Sequence, residues 1–454
     1  MSFEYYSFSE VEALNPDRIA VYGLGGVGLG ICAVWIRAGY NVIGVDVDVN
    51  KIEEINRGVV EHPDPLVVKT ISEAVKKNCF SGTTDGVEAS KLSRIKIVAV
   101  PLLINGGEPD FSAIDDVVIK IARGLKKGDV VIVETSLPPG TTANRIRPVL
   151  ESISGLKVDE DFYLAHSPER VMVEHVVRDV EESYPKIVGG VSPKSTEIVA
   201  ELYLKIAGKG VIKVSNATVA EFEKLVEGVY RDVNIALANE LADLARVLGV
   251  DFEEVRLAAN SQPYSHLHKP GPGVGGICIP VYPRLLTWIA KSFGLDLKLT
   301  SLARRINEKR PKDIVELVRN VLERLNFDIP VIAVLGASFR GGSSDLRNSP
   351  SLDVAKMLVE KGYKVKVFDP YVKPSLLSGF GFEVASSFED VLEGADVVIV
   401  ATDHPEFKKI DFNDVRRLSG KDRIAVVDAR DIIELKDIPS NIIYVGVGRP
   451  WMET

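Results

Sequence analysis

Residues 18–47 read RIAVYGLGGVGLGICAVWIRAGYNVIGVDV, and this stretch leaves a chain little freedom in how it folds. The apolar run 18–22 ends in a cluster of glycines, an apolar helix follows to about Arg37, and a second apolar run, 41–45, ends at Asp46. Strand, tight turn, helix and strand make a βαβ unit, which belongs in a parallel sheet covered by helices on both faces. Gly23 makes the turn, Gly25 lets backbone approach a pyrophosphate, and Gly28 allows close helix packing, with the phosphates at the helix N-terminus. Asp46 falls where an acid bonds the adenine ribose hydroxyls, so the dinucleotide is NAD rather than NADP.

The alternation continues beyond this unit. Short apolar strands at 95–100 and 130–134 end in the loops VPLLINGGEPDFS and TSLPPGTT. Both loops belong beside the cofactor, because open α/β sheets bind ligands beyond the carboxyl ends of their strands. Thr135 and Ser136 are hydroxyls in that position, or helix caps. A strand at 162–165 leads into His166-Ser167-Pro168-Glu169-Arg170, where Glu169 is either a catalytic acid or base or one more surface carboxylate.

A long helix is expected over 217–248, with Phe222, Val226, Val229 and Val233 as its apolar face. Lys224 and Arg231 fall opposite that face. They are solvated charges, or a cationic site for phosphate or an oxyanion if a second domain covers them. Helical patterns return at 285–293 and 302–326. From 328 onward a second α/β alternation begins, with strands at 330–335, 364–369, 397–401 and 424–428 and a helix at 352–361. It lacks a GxGxxG turn. Its loop 337–350, ASFRGGSSDLRNSP, carries Arg340 and Arg347 and suits phosphate through backbone amides and guanidinium groups, unless it is a plain surface loop.

Between these halves lies GPGVGGICIPVYP, residues 271–283, which delivers Cys278 on a loop almost without side chains. Such backbone passes close to a ligand, and a cysteine there is a candidate nucleophile or a buried structural thiol. Cys32, Cys79 and Cys278 are widely separated, with no CxxC pair, so neither a metal site nor a disulfide framework is expected. With 55 Lys and Arg against 64 Asp and Glu, the net charge of −9 argues against nucleic acid and offers no polybasic membrane signal. No basic start followed by an apolar run opens the chain and no stretch approaches a spanning length, so a cytoplasmic protein is expected.

With these pieces placed, the chain resembles the nucleotide-sugar 6-dehydrogenase family that includes UDP-glucose dehydrogenase, and within it most resembles the UDP-N-acetyl-D-mannosamine dehydrogenase branch. The strings that carry the resemblance are YRDVNIALANEL, GPGVGGICIP, SPERV, DLRNSP and EPD, spread over nearly the whole chain. The resemblance implies an α/β protein of two Rossmann-like doubly wound domains joined by a central helical domain that also dimerises. The expected boundaries are 1–205 for the NAD domain, 206–326 for the helical domain and 327–454 for the nucleotide-sugar domain. It implies a four-electron oxidation of a UDP-sugar through a thiohemiacetal and a thioester on Cys278. Lys224 matches the lysine that stabilises the oxyanions, Glu169 the glutamate that works on the hydrolytic water, and Ser136 a threonine near the nicotinamide and that water. Val27, Lys51, Leu102 and Arg347 join the glycines and Asp46 on the cofactor side. Arg170, Val171, Arg231, Gln262, Tyr264, Gly275 and Arg340 are placed on the substrate side, and no metal is implied.

The chain departs from the family pattern at several positions. Tyr282 replaces an aspartate four residues after the cysteine, and Gly228 replaces an asparagine one turn after the lysine. Gln262 and Tyr264 replace a histidine and an arginine, Ile277 a histidine, and Leu102-Leu103 a Thr-Pro.

Overall fold

The computed structural model describes residues 18–325, 330–434, 438–439 and 442–453. The chain divides into two compact units, Met1–Val226 and Glu227–Thr454. The first contains an eight-stranded sheet in the order β10-β9-β8-β7-β4-β1-β2-β3. Its strands are β1 Arg18–Tyr22, β2 Asn41–Val45, β3 Phe80–Thr83, β4 Ile95–Val98, β7 Asp129–Val133, β8 Phe162–His166, β9 Lys186–Gly190 and β10 Val211–Lys213; β5 Leu103–Asn105 and β6 Glu108–Asp110 form a separate hairpin. All neighbours pair in parallel except β8 and β9. These strands read as unbroken Val and Ile runs because helices cover both faces: Ile19, Val21, Ile95, Ile97, Val130 and Ile132 are buried on one side, and Ala20, Val98, Val131 and Val133 on the other. Helix α1, Gly26–Arg37, and helix α2, Pro193–Tyr203, pack against the first of these faces.

The second unit holds a seven-stranded sheet in the order β13-β12-β11-β14-β15-β16-β17. Its strands are β11 Val331–Leu335, β12 Lys364–Phe368, β13 Glu383–Val384, β14 Val397–Val400, β15 Ile424–Asp428, β16 Ile442–Gly446 and β17 Arg449–Glu453. Only β16 and β17 pair antiparallel. The central helical region contains α3 Ala217–Leu248, α4 Tyr282–Ser292 and α5 Lys298–Leu325, and α6 Pro350–Glu360 follows β11. Two parallel-sheet domains thus flank a helical centre, as expected.

Details differ from the sequence reading. Strand β4 stops at Val98 instead of 100; past it Ala99 N still donates to Tyr22 O at 2.8 Å, and the Ala99 carbonyl passes close to Gly23. The first sheet extends through β10, beyond the expected boundary at 205/206, since Val211–Lys213 pairs with β9. Residue 326, the other expected boundary, lies outside the described residues.

Helix α3 keeps only part of its expected division of faces. Of the expected apolar face Phe222 and Val226 are exposed and Val229 and Val233 half-buried, and opposite them Lys224 is buried but Arg231 exposed; Tyr230, Leu237 and Leu244 are exposed as well, whereas Glu221, Asp232 and Asn239 are buried beside Leu225, Ala236 and Ala242. Neighbouring elements supply partners for Glu221, Asp232 and Asn239. Glu221 accepts from Gly140 N at 2.6 Å and Thr142 N at 2.7 Å, Asp232 pairs with Arg304 at 2.8 Å, and Asn239 accepts from Gly271 N at 2.8 Å. Periodicity found the helix, but partners supplied by neighbouring elements allowed polar residues to go inward while Phe222 and Val226 stayed outside.

Candidate active site

In the first unit the turn after β1 has the shape that a dinucleotide needs. Gly23 sits at φ +96°, and a Cβ there would lie 2.8 Å from Ala99 O. Gly28 faces the Gly23 carbonyl so closely that any Cβ would collide with it. Gly25 differs: it is the exposed N-cap of α1, with no side-chain cap bond and open space where a Cβ would be. The helix N-terminus therefore presents its free N–H groups outward, the arrangement that holds a pyrophosphate.

Asp46, at the end of β2, accepts from Leu24 N at 2.8 Å and from Asp48 N at 3.1 Å, and pairs with Lys51 Nζ at 3.2 Å. Burial would raise its carboxyl, but these hydrogen bonds and the Lys51 charge hold it below the usual range. An ionised acceptor at this point fits the adenosine ribose of NAD, and Lys51 serves first as its partner. Val27 and Leu102 are half-buried and pack on the core.

The second feature of this unit follows β8. Glu169 is folded back so that Oε1 accepts from Arg170 N at 2.6 Å and Val171 N at 2.8 Å, while Oε2 meets Lys186 Nζ at 3.1 Å. With its side chain 9% exposed, it is not a surface carboxylate. Burial would push the Glu169 carboxyl up, but Lys186, hydrogen bonding with Glu134 and the Lys224 charge bring it below its ordinary value. Lys224 is buried too, which excludes the reading of a solvated charge. His166, fully buried nearby, is pushed down to about 3 by burial and by the charges of Lys186 and Lys224, so it stays neutral. Arg170 Nη1 donates to Pro185 O at 3.3 Å, and its guanidinium lies 5.3 Å from the Tyr184 ring. Val171 packs on the core, and Ser136 sits half-buried in the loop after β7. Thr135 donates to Val100 O at 2.7 Å and caps no helix.

In the second unit Cys278 is exposed, unlike buried Cys32, and this removes the structural-thiol reading. Its loop is pinned from below. Gly276 N donates to Arg347 O at 2.9 Å and Asn348 Nδ2 donates to Gly276 O at 3.0 Å. At Gly275 a Cβ would meet Phe339 Cβ at 2.5 Å and Asn348 O at 2.6 Å. Gly275 and Gly276 thus seat this loop closely on the other, the one that carries Arg340 and Arg347. Asp345 hydrogen-bonds Arg347 Nη2 at 2.6 Å and holds that guanidinium above its ordinary value, with Cys278 adding to the effect. Arg340 lies 5.6 Å from the Phe339 ring.

Tyr282 N donates to Cys278 O at 3.0 Å, and the buried Tyr282 ring lies where any Cβ on residue 228 would overlap it. The two departures at 228 and 282 are therefore one packed arrangement. By contrast, Arg231 is exposed, and Gln262 and Tyr264 form an exposed turn in which Tyr264 N donates to Gln262 Oε1 at 2.7 Å and Tyr264 is 95% exposed.

Sequence reasoning missed Glu134, Lys186 and Tyr203. Lys186 Nζ bridges Glu134 Oε2 at 2.7 Å and Glu169, and the Tyr203 hydroxyl donates to Glu134 Oε1. An acid closing one strand and a lysine opening another carry no local signal; only the sheet order brings them together.

Three models of the UDP-glucose/GDP-mannose dehydrogenase family match: its NAD binding domain at residues 17–207, its central domain at 218–309 and its UDP binding domain at 333–435. A UDP-N-acetyl-D-mannosamine dehydrogenase of Pyrococcus horikoshii is 39% identical over 95% of this chain and 99% of its own. A solved structure of a UDP-D-ManNAc dehydrogenase from that organism superposes with a TM-score of 0.87 at 37% identity, covering 95% of this chain and 99% of the other. An NDP-N-acetyl-D-galactosaminuronic acid dehydrogenase structure from Methanosarcina mazei gives 0.83 at 31% identity, covering 97% of each chain. The chain belongs to the UDP-glucose/GDP-mannose dehydrogenase family. It is an NAD-dependent UDP-sugar dehydrogenase.

Proposed function

We propose that this enzyme oxidises a UDP-N-acetylhexosamine, with UDP-N-acetyl-D-mannosamine the foremost candidate, at C6 to the uronic acid, for cell-surface polysaccharide. The observation that carries this reading is Cys278, exposed on a glycine loop seated on the loop of Arg340 and Arg347. The similarity to relatives named for N-acetylated sugars supports the substrate class.

NAD, when bound, takes up the hydride released at each oxidation. Cys278 Sγ adds to the aldehyde carbon to give a thiohemiacetal, and its oxidation leaves a thioester. Lys224 is assigned the oxyanions, because a buried ammonium in a low-dielectric setting stabilises developing negative charge. Glu169 is assigned the water: the water oxygen bonds the acyl carbon, its proton passes to Glu169, and the C–S bond breaks with its electron pair on Sγ. Ser136 orients that water. Arg340 and Arg347 meet the nucleotide sugar and the dinucleotide, and Arg170, Val171, Arg231, Gln262, Tyr264 and Gly275 shape the sugar side.

The boundaries 1–205, 206–326 and 327–454 are retained as proposed domains, with β10 as an outlying strand of the first. The exposed apolar stripe on α3 supports pairing with a second copy of the chain, since Phe222 is 50%, Tyr230 49% and Leu244 53% exposed along one helix. Leu244→Glu should then convert a dimer to a monomer in sedimentation. The free cysteines suit a cytoplasmic setting.

The test is NADH formed per sugar consumed, with UDP-linked N-acetylmannosamine, N-acetylglucosamine, N-acetylgalactosamine and glucose. Two NADH per sugar with one preferred substrate supports the proposal. Cys278→Ser should lower turnover by about three or more orders of magnitude, as loss of a covalent nucleophile does; a variant still completing both oxidations rules out the covalent route.

A second reading, specialisation for a different UDP-sugar, is favoured by the packing of Tyr282 against Gly228, which is a fitted contact and not a decayed one. Tyr282→Asp alone should then lower the rate, and Gly228→Asn alone should destabilise the fold through its clash with the ring. Binding of UDP-sugars without any turnover would instead favour a regulatory role.

A further inference from the structure

Glu169 does not stand alone behind its water. Its Oε2 shares the Lys186 ammonium with Glu134 Oε2, at 3.1 Å and 2.7 Å, and the other Glu134 oxygen accepts from the Tyr203 hydroxyl. Lys186, Glu134 and Tyr203 are all buried, on β9, at the end of β7 and on α2. The two carboxylates share the one Lys186 ammonium, so the proton occupancy of the pair decides how much of its charge Glu169 receives. With Glu134 ionised, Lys186 is divided between two carboxylates and Glu169 is the more basic. With Glu134 neutral, Lys186 concentrates on Glu169 and weakens it as a base.

We propose that Glu134, held by Tyr203 and Lys186, is a positioning residue that sets the basicity of Glu169 and so gates hydrolysis of the thioester. The inference rests on the covalent reading above and adds a role for a residue outside the reacting atoms. Burial pushes the Glu134 carboxyl up to about 7, against Lys186 and with the push of the Glu169 charge, so it changes charge near neutrality. The groups facing the pair are few: Lys186 and Tyr203 on Glu134, Lys186 and Lys224 on Glu169, and Tyr184 and neutral His166 close by. Hydrolysis should therefore quicken as pH rises and Glu134 loses its proton.

The experiment is a single turnover with UDP-sugar and NAD, quenched at intervals, with the acyl adduct on Cys278 followed by mass and the oxidations by NADH absorbance. Wild-type acyl-enzyme should decay with a rate that rises through neutrality. Glu134→Gln keeps the shape and removes the charge. It should leave the first oxidation unchanged, slow decay of the adduct roughly tenfold above neutrality, a part of the 10²–10⁴ that a positioned base supplies, and flatten the pH profile. Tyr203→Phe, which removes one donor from Glu134, should keep the step and shift it upward, and it carries the test if the first variant does not fold. Decay in Glu134→Gln with the wild-type rate and pH profile would overturn the inference while leaving the covalent reading intact. Two NADH per sugar with no adduct in any protein would overturn both.

Discussion

After β1 the chain turns at Gly23, at φ +96°, and Gly23 N donates to Val45 O at 2.8 Å; after β11 it turns at Gly336, also at φ +96°, and Gly336 N donates to Phe368 O at 2.8 Å. Each turn is tied to an aspartate one residue past the neighbouring strand, Asp46 through Leu24 N at 2.8 Å and Asp369 through Ala337 N at 2.8 Å. From there the two units diverge. In the first, α1 begins at once, and its exposed N-cap is Gly25. In the second, a loop over 337–349 intervenes, and α6 is capped by its own Ser349, which accepts from Leu352 N at 3.3 Å and donates to Ala337 O at 2.6 Å. Asp369 is turned inward as well: its Oδ2 takes Ser338 N at 3.0 Å and His404 Nε2 at 3.1 Å. Because His404 Nδ1 accepts from Gly342 N at 3.1 Å, the ring proton is on Nε2 and points at Asp369. One turn leaves backbone amides for a ligand; the other consumes them and offers guanidinium groups instead.

Breaking the inward lock should have the largest effect. Asp369→Ala leaves Ala337 N, Ser338 N and His404 Nε2 without their buried acceptor and should destabilise the protein by about 4 kcal/mol, since each orphaned group costs roughly 1–3. A melting curve with UDP binding alongside checks it, and NAD binding in whatever remains folded should be normal. Its pH dependence has a definite sign. Burial would raise the Asp369 carboxyl, yet the hydrogen bonds from His404, Ala337 N and Ser338 N hold it at about 2, below its ordinary 3.8. That stabilisation is complete above 3.8 and is lost as pH falls through about 2, so acid titration of the wild type should converge on the variant only there.

Gly28→Ala comes next. The new methyl must push the Gly23 carbonyl aside, an overpacking of about 3 kcal/mol, and calorimetry should show NAD affinity lost with UDP binding kept. The smallest effect is expected at the outward acid. Asp46→Asn keeps an acceptor for Leu24 N but loses the charge facing Lys51 and the ribose, so NAD should bind about tenfold more weakly while stability moves by less than about 1 kcal/mol. Equal stability losses at Asp46 and Asp369 would erase the distinction between the two turns.

The outward turn was legible in the sequence because its function is carried by consecutive glycines, each with a separate steric task. The inward one was not. Gly336 and Asp369 are ordinary strand-end residues until sheet order brings His404 to them. The same reason hid Lys186 between Glu134 and Glu169, whereas Glu169 itself was visible in a motif. For Lys224 the helix was read correctly and two environments were left open, solvated or covered; burial selects the covered one, on a side that mixes Leu225, Ala236 and Ala242 with hydrogen-bonded Glu221. Tyr282 and Gly228 were visible as departures, but their contact joins positions far apart in sequence.

Among three thiols, Cys32 is enclosed in the first core, Cys79 is half-covered at the start of β3, and Cys278 is open. The protein thus carries a built-in chemical reporter. A mild alkylating reagent should mark Cys278 ahead of the others, and slower labelling with a nucleotide sugar present would report occupancy of the loop directly, without any redox readout.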